Sequence, residues 1–388
     1  MMSMTPHNAA DMLAKLVGFD TVSRHSNLAL IEFIEAHLAE YGVESWRVEN
    51  DDGSKSNLIA RIGPAVEGGV ALSGHTDVVP VDGQPWTTDP FTLTAHDGKL
   101  YGRGSCDMKG FIACALAQVP HWVEQKLKKP IWLAFSYDEE IGCLGAPRMI
   151  ERLAGELPRP AVVVVGEPTL MQPVTQQKGI TSLKTVVHGV ESHSSQVDQG
   201  ISAIHVAARL VTRIEEIMTE LVREGRTNSA FNVAHSSLHV GRIHGGTAIN
   251  IMARECAFEW EIRHLPEEGF EAVFERFMAY SRQLESELKA RDPRFAIETT
   301  PLTHTVPGLA GSDNRTAIAL CAQLLGEREA EAVAYATEAG QFQRAGLEAI
   351  ICGPGSIAQA HQPDEFISEN QLEQGAEFMR RLGQLMEA

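Results

Sequence analysis

Two hydrophobic patterns alternate along the first 180 residues of the chain. Segments such as "NLALIEFIEAHLAEYG" and "MKGFIACALAQVPHWVEQ" carry apolar residues at the spacing of an amphipathic helix. Between such segments lie the short apolar runs "VALSG", "IWLAFS" and "AVVVV", which are typical of strands covered on both faces. This alternation predicts an α/β domain with a mixed, largely parallel sheet and helices on both faces.

The pattern changes near residue 181 and returns near residue 303. The strand "TSLKTVVHGV" alternates apolar and polar residues, and a long amphipathic helix, two alternating strands, a second helix and a last strand follow it. This β-α-β-β-α-β order predicts an open-faced sandwich, with helices on one face of an antiparallel sheet. The sequence therefore predicts an α/β domain of residues 1–180 and 303–388, interrupted by an inserted domain of residues 181–302.

Length and charge limit the classes of protein to which the chain can belong. With 388 residues, it is long enough for two domains. Its net charge of −18 repels phosphate backbones, so we do not expect a nucleic-acid partner. No apolar run reaches the length of a membrane span, and "MMSMTPHNAADMLAKLV" lacks the basic and apolar regions of a secretion signal. We therefore expect a cytoplasmic protein without a membrane partner.

The cysteines do not form a metal-binding or disulfide pattern. Six cysteines are scattered along the chain without a C-x-x-C pair, namely Cys106, Cys114, Cys143, Cys256, Cys321 and Cys352. In a chain of this length, such spacing predicts reduced thiols. Any metal site must therefore use histidine and carboxylate ligands.

Acidic and imidazole side chains recur at the ends of predicted strands and in glycine-rich turns. They are His75 with Asp77, Asp107, the run Asp138-Glu139-Glu140, Glu167 and His361. Four of these five places directly follow apolar strands, whose carboxyl ends form the ligand crevice of an open α/β sheet. Each place alone also has a structural explanation, since the chain has 15 histidines and acidic loops are usually solvated. Together they predict one convergent site, in which His75 and Asp77 share a face.

The stretch "GRGSCD" allows a second interpretation, as a phosphate-binding loop. Gly102 and Gly104 form G-x-G, but Asp107 stands where a dinucleotide fingerprint has its third glycine. The spacing therefore argues against an NAD-dependent enzyme.

Motifs spread in order over essentially the whole chain resemble those of the two-zinc aminoacylase and aminopeptidase family. They are "GHTDVVP", "LYGRGSCDMKG", "SYDEEIG", "VVGEPT", "HGVESHSS", "GRIHGGTAINI", "EIR" and "GPGSIAQAHQPDE". The resemblance implies a hydrolase that removes the acetyl group from N2-acetyl-L-ornithine, a reaction of arginine biosynthesis. Desuccinylation of succinyl-diaminopimelate, or deacylation of another N-acyl amino acid, is the alternative. An inactive metal-binding or scaffold protein is a third hypothesis, against which the intact Glu139 and ligand set argue.

The resemblance assigns metal-binding roles to five side chains. It implies that His75 and Glu167 bind one ion, that Glu140 and His361 bind the other, and that Asp107 bridges the two. Two Zn²⁺ per subunit are expected, with Co²⁺ or Mn²⁺ as alternatives, because imidazole and carboxylate suit these ions.

The resemblance also assigns catalytic and substrate-binding roles. Glu139 is expected to be the general base, and Asp77 to hold the second ring nitrogen of His75. His193 is expected to reach the active site of the other subunit of a homodimer and to stabilise the oxyanion. The inserted domain would then serve as dimer interface and lid.

Three residues are expected to bind the substrate, a small N-acyl amino acid. Asn250 and Arg263 match positions that grip the substrate carboxylate, although a surface arginine on a strand is the alternative for Arg263. By the same resemblance, Glu338 in "ATEAG" stands where most members of the family carry a "T-D" pair. We hypothesise that it faces the ammonium end of ornithine and sets specificity.

Overall fold

The computed structural model describes residues 8–388. Residues 1–7, which carry part of the prediction about a secretion signal, lie outside this range. The helices are α1 (Ala9–Val17), α2 (Leu28–Glu40), α3 (Lys109–Glu124), α4 (Ala146–Gly155), α5 (Ala203–Arg223), α6 (Phe270–Lys289), α7 (Arg315–Leu325), α8 (Ala339–Arg344) and α9 (Glu369–Glu387). The strands are β1 (Glu44–Glu49), β2 (Ser56–Ile62), β3 (Val70–His75), β4 (Thr94–His96), β5 (Lys99–Tyr101), β6 (Ile131–Ser136), β7 (Val162–Pro168), β8 (Val174–Gln177), β9 (Gly179–His188), β10 (Ser237–Gly245), β11 (Glu255–His264), β12 (Ala296–Pro301), β13 (Glu331–Val333), β14 (Glu348–Gly353) and β15 (Phe366–Ser368).

The first of two compact units is built on a mixed sheet in which the strands β1-β2-β6-β3-β7-β14 are neighbours in that order. Its four central neighbours, β6, β3, β7 and β14, are parallel to one another, whereas β1 and β2 are antiparallel to their neighbours. The predicted α/β class with a largely parallel sheet is therefore confirmed. Parallel order matters for function because it brings the carboxyl ends of these four strands to one edge of the sheet.

The central strands of this sheet are buried and tightly packed. Every residue of β3, β6 and β7 is buried, as their apolar runs predict. Helix α3 covers these strands with side chains such as Phe111 and Ile112. At Gly166, a Cβ atom would lie 2.0 Å from the ring of Phe111, so only glycine allows this close approach. The residue that follows, Glu167, is thereby held against the packed core.

The second unit contains an antiparallel sheet with the order β10-β11-β9-β12. Buried and partly exposed residues alternate strictly along β9, and nearly so along β11, as in a sheet with one covered face. Helices α5 and α6 pack on it through a core that includes Leu210, Phe277 and Trp260. The predicted β-α-β-β-α-β sandwich is therefore present.

The compact units divide the chain at slightly different residues from those predicted. The first comprises Met1–Thr175, Ala310–Glu331 and Thr337–Ala388, and the second comprises Gln176–Leu309 and Ala332–Ala336. The predicted limits lay at residues 180 and 303. They differ because the end of β8 and the chain before residue 310 pair within the second unit, where the Gln177 N–H donates to the Leu309 carbonyl at 3.2 Å.

Two smaller expectations concern the cysteines and membrane helices. All six cysteines are buried free thiols, so the prediction of reduced thiols is confirmed. Within residues 8–388, the structure has no helix with the length and apolar character required to span a membrane.

Candidate metal centre and active site

The carboxyl ends of the four parallel strands carry the predicted metal ligands. His75 is the last residue of β3, Glu167 lies near the end of β7, and Glu140 and His361 lie in the segments that follow β6 and β14. Asp107 lies in the turn before α3, and the Asp107–Met108 peptide bond is cis. The strand order therefore explains how groups separated by nearly three hundred positions reach one place.

Asp107 lies between two imidazoles. Its Oδ1 is 3.0 Å from Nε2 of His75, and its Oδ2 is 3.3 Å from Nε2 of His361. His75 Nε2 is also 3.8 Å from Oε1 of Glu167, and His361 Nε2 is 3.0 Å from Oε2 of Glu140. The five side chains thus form two groups that share one carboxylate.

The two neighbouring glutamates of the 139–140 turn belong to different groups. Ligand atoms of His75, Asp107 and Glu140 lie within 4.8 Å of one another, and so do those of His75, Glu139 and Glu167. Glu139 therefore reaches the same cluster as the expected ligands while its neighbour Glu140 faces Asp107.

The electrostatics of this cluster fit divalent cations. Buried Oε1 atoms of Glu140 and Glu167 have no hydrogen-bond partner among the described residues. Burial and the charge of Asp107 raise the pKa of Glu140 to about 7 and that of Glu167 well above its usual range. Hydrogen bonds to Asp107 and Glu140 raise the pKa of His361 to about 10. Crowded, partly unsatisfied carboxylates of this kind are expensive to bury without compensating positive charge.

Asp77 lies beside the second ring nitrogen of His75 with both its backbone carbonyl and its carboxylate. The Nδ1 of His75 lies 2.9 Å from the backbone carbonyl oxygen of Asp77 and 3.7 Å from the Oδ1 of that residue. The Asp77 carboxylate also accepts hydrogen bonds from the N–H groups of Glu139 (3.1 Å) and Glu140 (3.3 Å), and from Oγ of Ser23 (2.7 Å). Strand β3 ends at His75, and the expected role of the Asp77 carboxylate towards the second ring nitrogen of His75 stays a prediction. Asp77 positions the turn that carries Glu139 and Glu140.

Sequence reasoning missed Glu365, which holds the loop of Asp107. The Glu365 carboxylate is 1% exposed and accepts from Arg103 Nη1 at 2.7 Å. It also accepts from the N–H groups of Gly104, Cys106 and Asp107, at 3.1, 2.9 and 3.0 Å. The sequence did contain a signal for this residue, because Glu365 ends the same "HQPDE" motif that begins with His361.

Two further side chains that were not predicted hold loops of the cluster. Lys55 Nζ donates to Oδ1 of Asp138 at 2.5 Å, on the turn that carries the paired glutamates. Gln84 Nε2 donates to the carbonyl of His361 at 2.9 Å, while Gln84 Oε1 accepts from Arg103 at 2.5 Å. The loop of His361 is thereby tied to the Arg103–Glu365 pair.

Glu338 is buried in the first unit at the start of α8. It is 1% exposed, and its Oε2 accepts a hydrogen bond from Oγ of Ser73 at 3.1 Å. Its Oε1 has no hydrogen-bond partner among the described residues. Burial raises the pKa of its carboxyl group.

The other predicted residues, His193, Asn250 and Arg263, belong to the second unit. His193 is exposed, and its Nδ1 accepts from the N–H of Ser195 at 3.2 Å. A neutral His193 therefore carries its proton on Nε2. Asn250 is exposed, and Arg263 Nε donates to Oε1 of Glu261 at 2.7 Å. The roles expected of these residues stay predictions.

Fold and site together define a hydrolase of the metal-dependent peptidase class. A profile of Peptidase family M20/M25/M40 matches residues 71–384, and the chain belongs to this family. It is 36% identical over 371 residues to an acetylornithine deacetylase from Yersinia pseudotuberculosis, with 94% of this chain and 92% of the relative covered. It is 36% identical over 365 residues to an acetylornithine deacetylase from Myxococcus xanthus, with 93% and 92% covered.

Solved structures of low sequence identity share the fold. A tripeptidase from Staphylococcus aureus superposes with a TM-score of 0.75 at 18% identity, covering 99% of both chains. A dinuclear metal-binding peptidase from Bacillus subtilis gives 0.66 at 16% identity, with 97% of each chain covered. The resemblance drawn from the sequence motifs is therefore confirmed at the level of the family and the fold.

Proposed function

We propose that this chain hydrolyses N2-acetyl-L-ornithine to L-ornithine and acetate, a step of arginine biosynthesis, with two divalent cations. The observation that carries the proposal is the pair of imidazole–carboxylate groups joined by Asp107, whose two oxygens lie 3.0 and 3.3 Å from His75 and His361. The substrate is proposed because relatives more than one-third identical over nearly the whole chain are acetylornithine deacetylases.

Five side chains would hold the cations. His75 and Glu167 would hold one and Glu140 and His361 the other, with Asp107 shared, and Zn²⁺ is proposed ahead of Co²⁺ or Mn²⁺. Such cations, when bound, polarise an amide carbonyl and lower the pKa of water.

Glu139 is the general base of the proposed reaction. Its side chain is partly exposed and lies beside His75 and Glu167. Its backbone N–H donates a hydrogen bond to the Asp77 carboxylate. It would take a proton from the attacking water and deliver it to the leaving α-amine. His193, supplied by a second copy of this chain, would donate its Nε2–H to the carbonyl oxygen as negative charge develops there.

The remaining contacts are proposed from charge complementarity between side chains and the charged groups of the substrate. Arg263 and Asn250 would bind the α-carboxylate, and the guanidinium of Arg263 has the geometry for a bidentate pair. Glu338 would face the ammonium group, whose N–H donors would satisfy the unpartnered Oε1.

The decisive experiment measures release of the free amino product, ornithine or diaminopimelate, by the purified protein. Metal-free protein and protein restored with zinc are each given N2-acetyl-L-ornithine and succinyl-diaminopimelate, and kcat/KM is compared. We expect restored protein to prefer acetylornithine. A higher kcat/KM on succinyl-diaminopimelate would make that compound the proposed substrate instead. If no acylated amino acid were cleaved, we would conclude that the chain is a metal-binding protein without deacylase activity.

The Glu338→Gln variant tests the specificity proposal. Removing the negative charge should lower kcat/KM on acetylornithine by about ten- to a hundredfold, since a charge-assisted hydrogen bond contributes roughly 1.5–3 kcal/mol. An uncharged acetyl-amino acid such as acetylmethionine should be cleaved at a nearly unchanged rate. An unchanged preference between the two substrates would reject this role.

We also propose a homodimer formed through the second unit. Strand β10 lies at the edge of its sheet, and residues 241–250 are all exposed. They include Ile249 at 102% and Ile243 at 48% exposure. An open strand edge beside exposed isoleucines supports an interface between copies of the chain.

The Ile249→Asp variant should shift the protein from dimer to monomer in sedimentation velocity experiments. The same substitution at Val66, an exposed apolar residue of the first unit, is the control and should leave the dimer intact. Because a second copy is proposed to supply His193, the monomer should also lose most deacetylase activity. A monomeric wild-type protein would contradict the proposal.

A further inference from the structure

The thiol of Cys143 contacts the proposed general base. Its Sγ lies 3.4 Å from Oε1 of Glu139, a normal distance for a hydrogen bond from sulfur. The thiol is the donor in this pair, because a carboxylate only accepts. Cys143 is 3% exposed, so the contact is shielded from bulk water.

A tight turn brings the two residues together. The N–H groups of Gly142 and Cys143 both donate to the carbonyl of Glu139, at 2.9 and 2.8 Å. Gly142 has φ +111° and Cys143 has φ +53°, so two successive left-handed residues curl the chain back towards Glu139. A non-glycine residue at positive φ costs conformational free energy that glycine would avoid. We therefore expect the side chain of Cys143 to make a contact that a glycine could not make.

Side chains from the surrounding structure hold the backbone of the segment that carries this thiol. Gln341 Nε2 donates to the carbonyl of Cys143 at 3.0 Å, and the buried Asn57 holds the carbonyl of Gly145 at 2.9 Å. Burial, together with the charge of Glu139, raises the pKa of the Cys143 thiol. The group therefore remains a protonated donor.

From this geometry we propose that Cys143 is a positioning residue of the hydrolysis. Its S–H bonds to Oε1 of Glu139 and fixes the rotamer of the carboxylate, so that Oε2 is the oxygen that exchanges the proton with water and with the leaving amine. This inference rests on the proposed function, because it assigns Cys143 a task only if Glu139 is the base.

Kinetics of two substitutions test the role. Cys143→Ala removes the donor and should lower kcat on acetylornithine about tenfold with KM unchanged, the effect of one lost hydrogen bond in the transition state. Cys143→Ser keeps a donor and should stay within about threefold of wild type. Cys114→Ala is the matched control, since Cys114 is equally buried but donates to the backbone carbonyl of Leu372. It should leave kcat unchanged.

A spectroscopic measurement tests the contact without turnover. The infrared S–H stretching band that disappears in Cys143→Ala belongs to this thiol. In Glu139→Ala it should move to higher frequency, because the acceptor has gone. Metal content measured in every variant separates positioning from loss of the ions.

The outcomes separate the two proposals. If metal-loaded wild-type protein cleaves no acetyl-amino acid, the proposed function fails and the positioning role fails with it. If the wild type is active and Cys143→Ala matches it, or if Ala and Ser variants are equally slow, the positioning role alone is overturned. An S–H band that does not move in Glu139→Ala overturns it as well.

Discussion

The Glu139→Ala variant is expected to bind two metal ions per chain and yet to lose nearly all deacetylase activity. General base catalysis contributes roughly 10²- to 10⁴-fold, so kcat should fall by that factor. The ions should stay because His75, Asp107 and Glu167 still supply imidazole and carboxylate donors. Elemental analysis of the purified variant and its steady-state rate on acetylornithine check both parts.

The matched comparison is His75→Ala, which removes a proposed ligand instead of the base. This variant should lose bound metal as well as turnover, because the removed Nε2 faces both Asp107 and Glu167. Near-normal rates in both variants, with equal metal content, would contradict the assignment of the site. Loss of metal in Glu139→Ala would instead make Glu139 a ligand.

Replacing Glu365 with alanine is expected to destabilise the first unit and to weaken metal binding together. The substitution leaves the guanidinium of Arg103, itself 1% exposed, without its buried partner. Breaking a buried ion pair costs roughly 3–5 kcal/mol, and here it also frees the N–H of Asp107. Urea unfolding followed by tryptophan fluorescence measures the loss, and a metal titration measures the affinity.

The control for Glu365 is an exposed glutamate with similar partners. Glu377 pairs with Arg380 and Arg381, but its side chain is 38% exposed. Glu377→Ala should therefore change the free energy of unfolding by less than about 1 kcal/mol and leave metal affinity unaltered. Equal effects of the two substitutions would show that burial of the Arg103–Glu365 pair does not stabilise the metal loop.

Much of the fold could be predicted because the long segments have unambiguous patterns. The amphipathic helix α5 and the apolar strands β3, β6 and β7 lie where their patterns indicate. Short elements are harder to predict from the sequence. Strand β13 covers only the three residues Glu331–Val333, and helix α8 has only six. Such segments contain too few residues for periodicity to distinguish helix from strand.

The site was predicted as a set of residue types, but its supporting contacts were not. Ligands at strand ends follow from the topology of the sheet, which the sequence pattern determines. The hydrogen bonds of Glu365 to the loop of Asp107 join residues 258 positions apart, and no local pattern reports them. The contacts of Asp77 and Cys143 depend on loop geometry after a strand ends, where the alternation of strand side chains no longer applies.

Because β6, β3, β7 and β14 are parallel, their amino ends lie together on the side of the sheet away from the proposed metal site, where a label can be attached. The residues that enter these strands carry none of the proposed chemistry, and the exposed Glu156 precedes β7 there. A seven-residue strand spans roughly 23 Å, so a dye attached at that end stays well clear of the reacting groups. Labelling at this position is therefore expected to leave turnover unchanged.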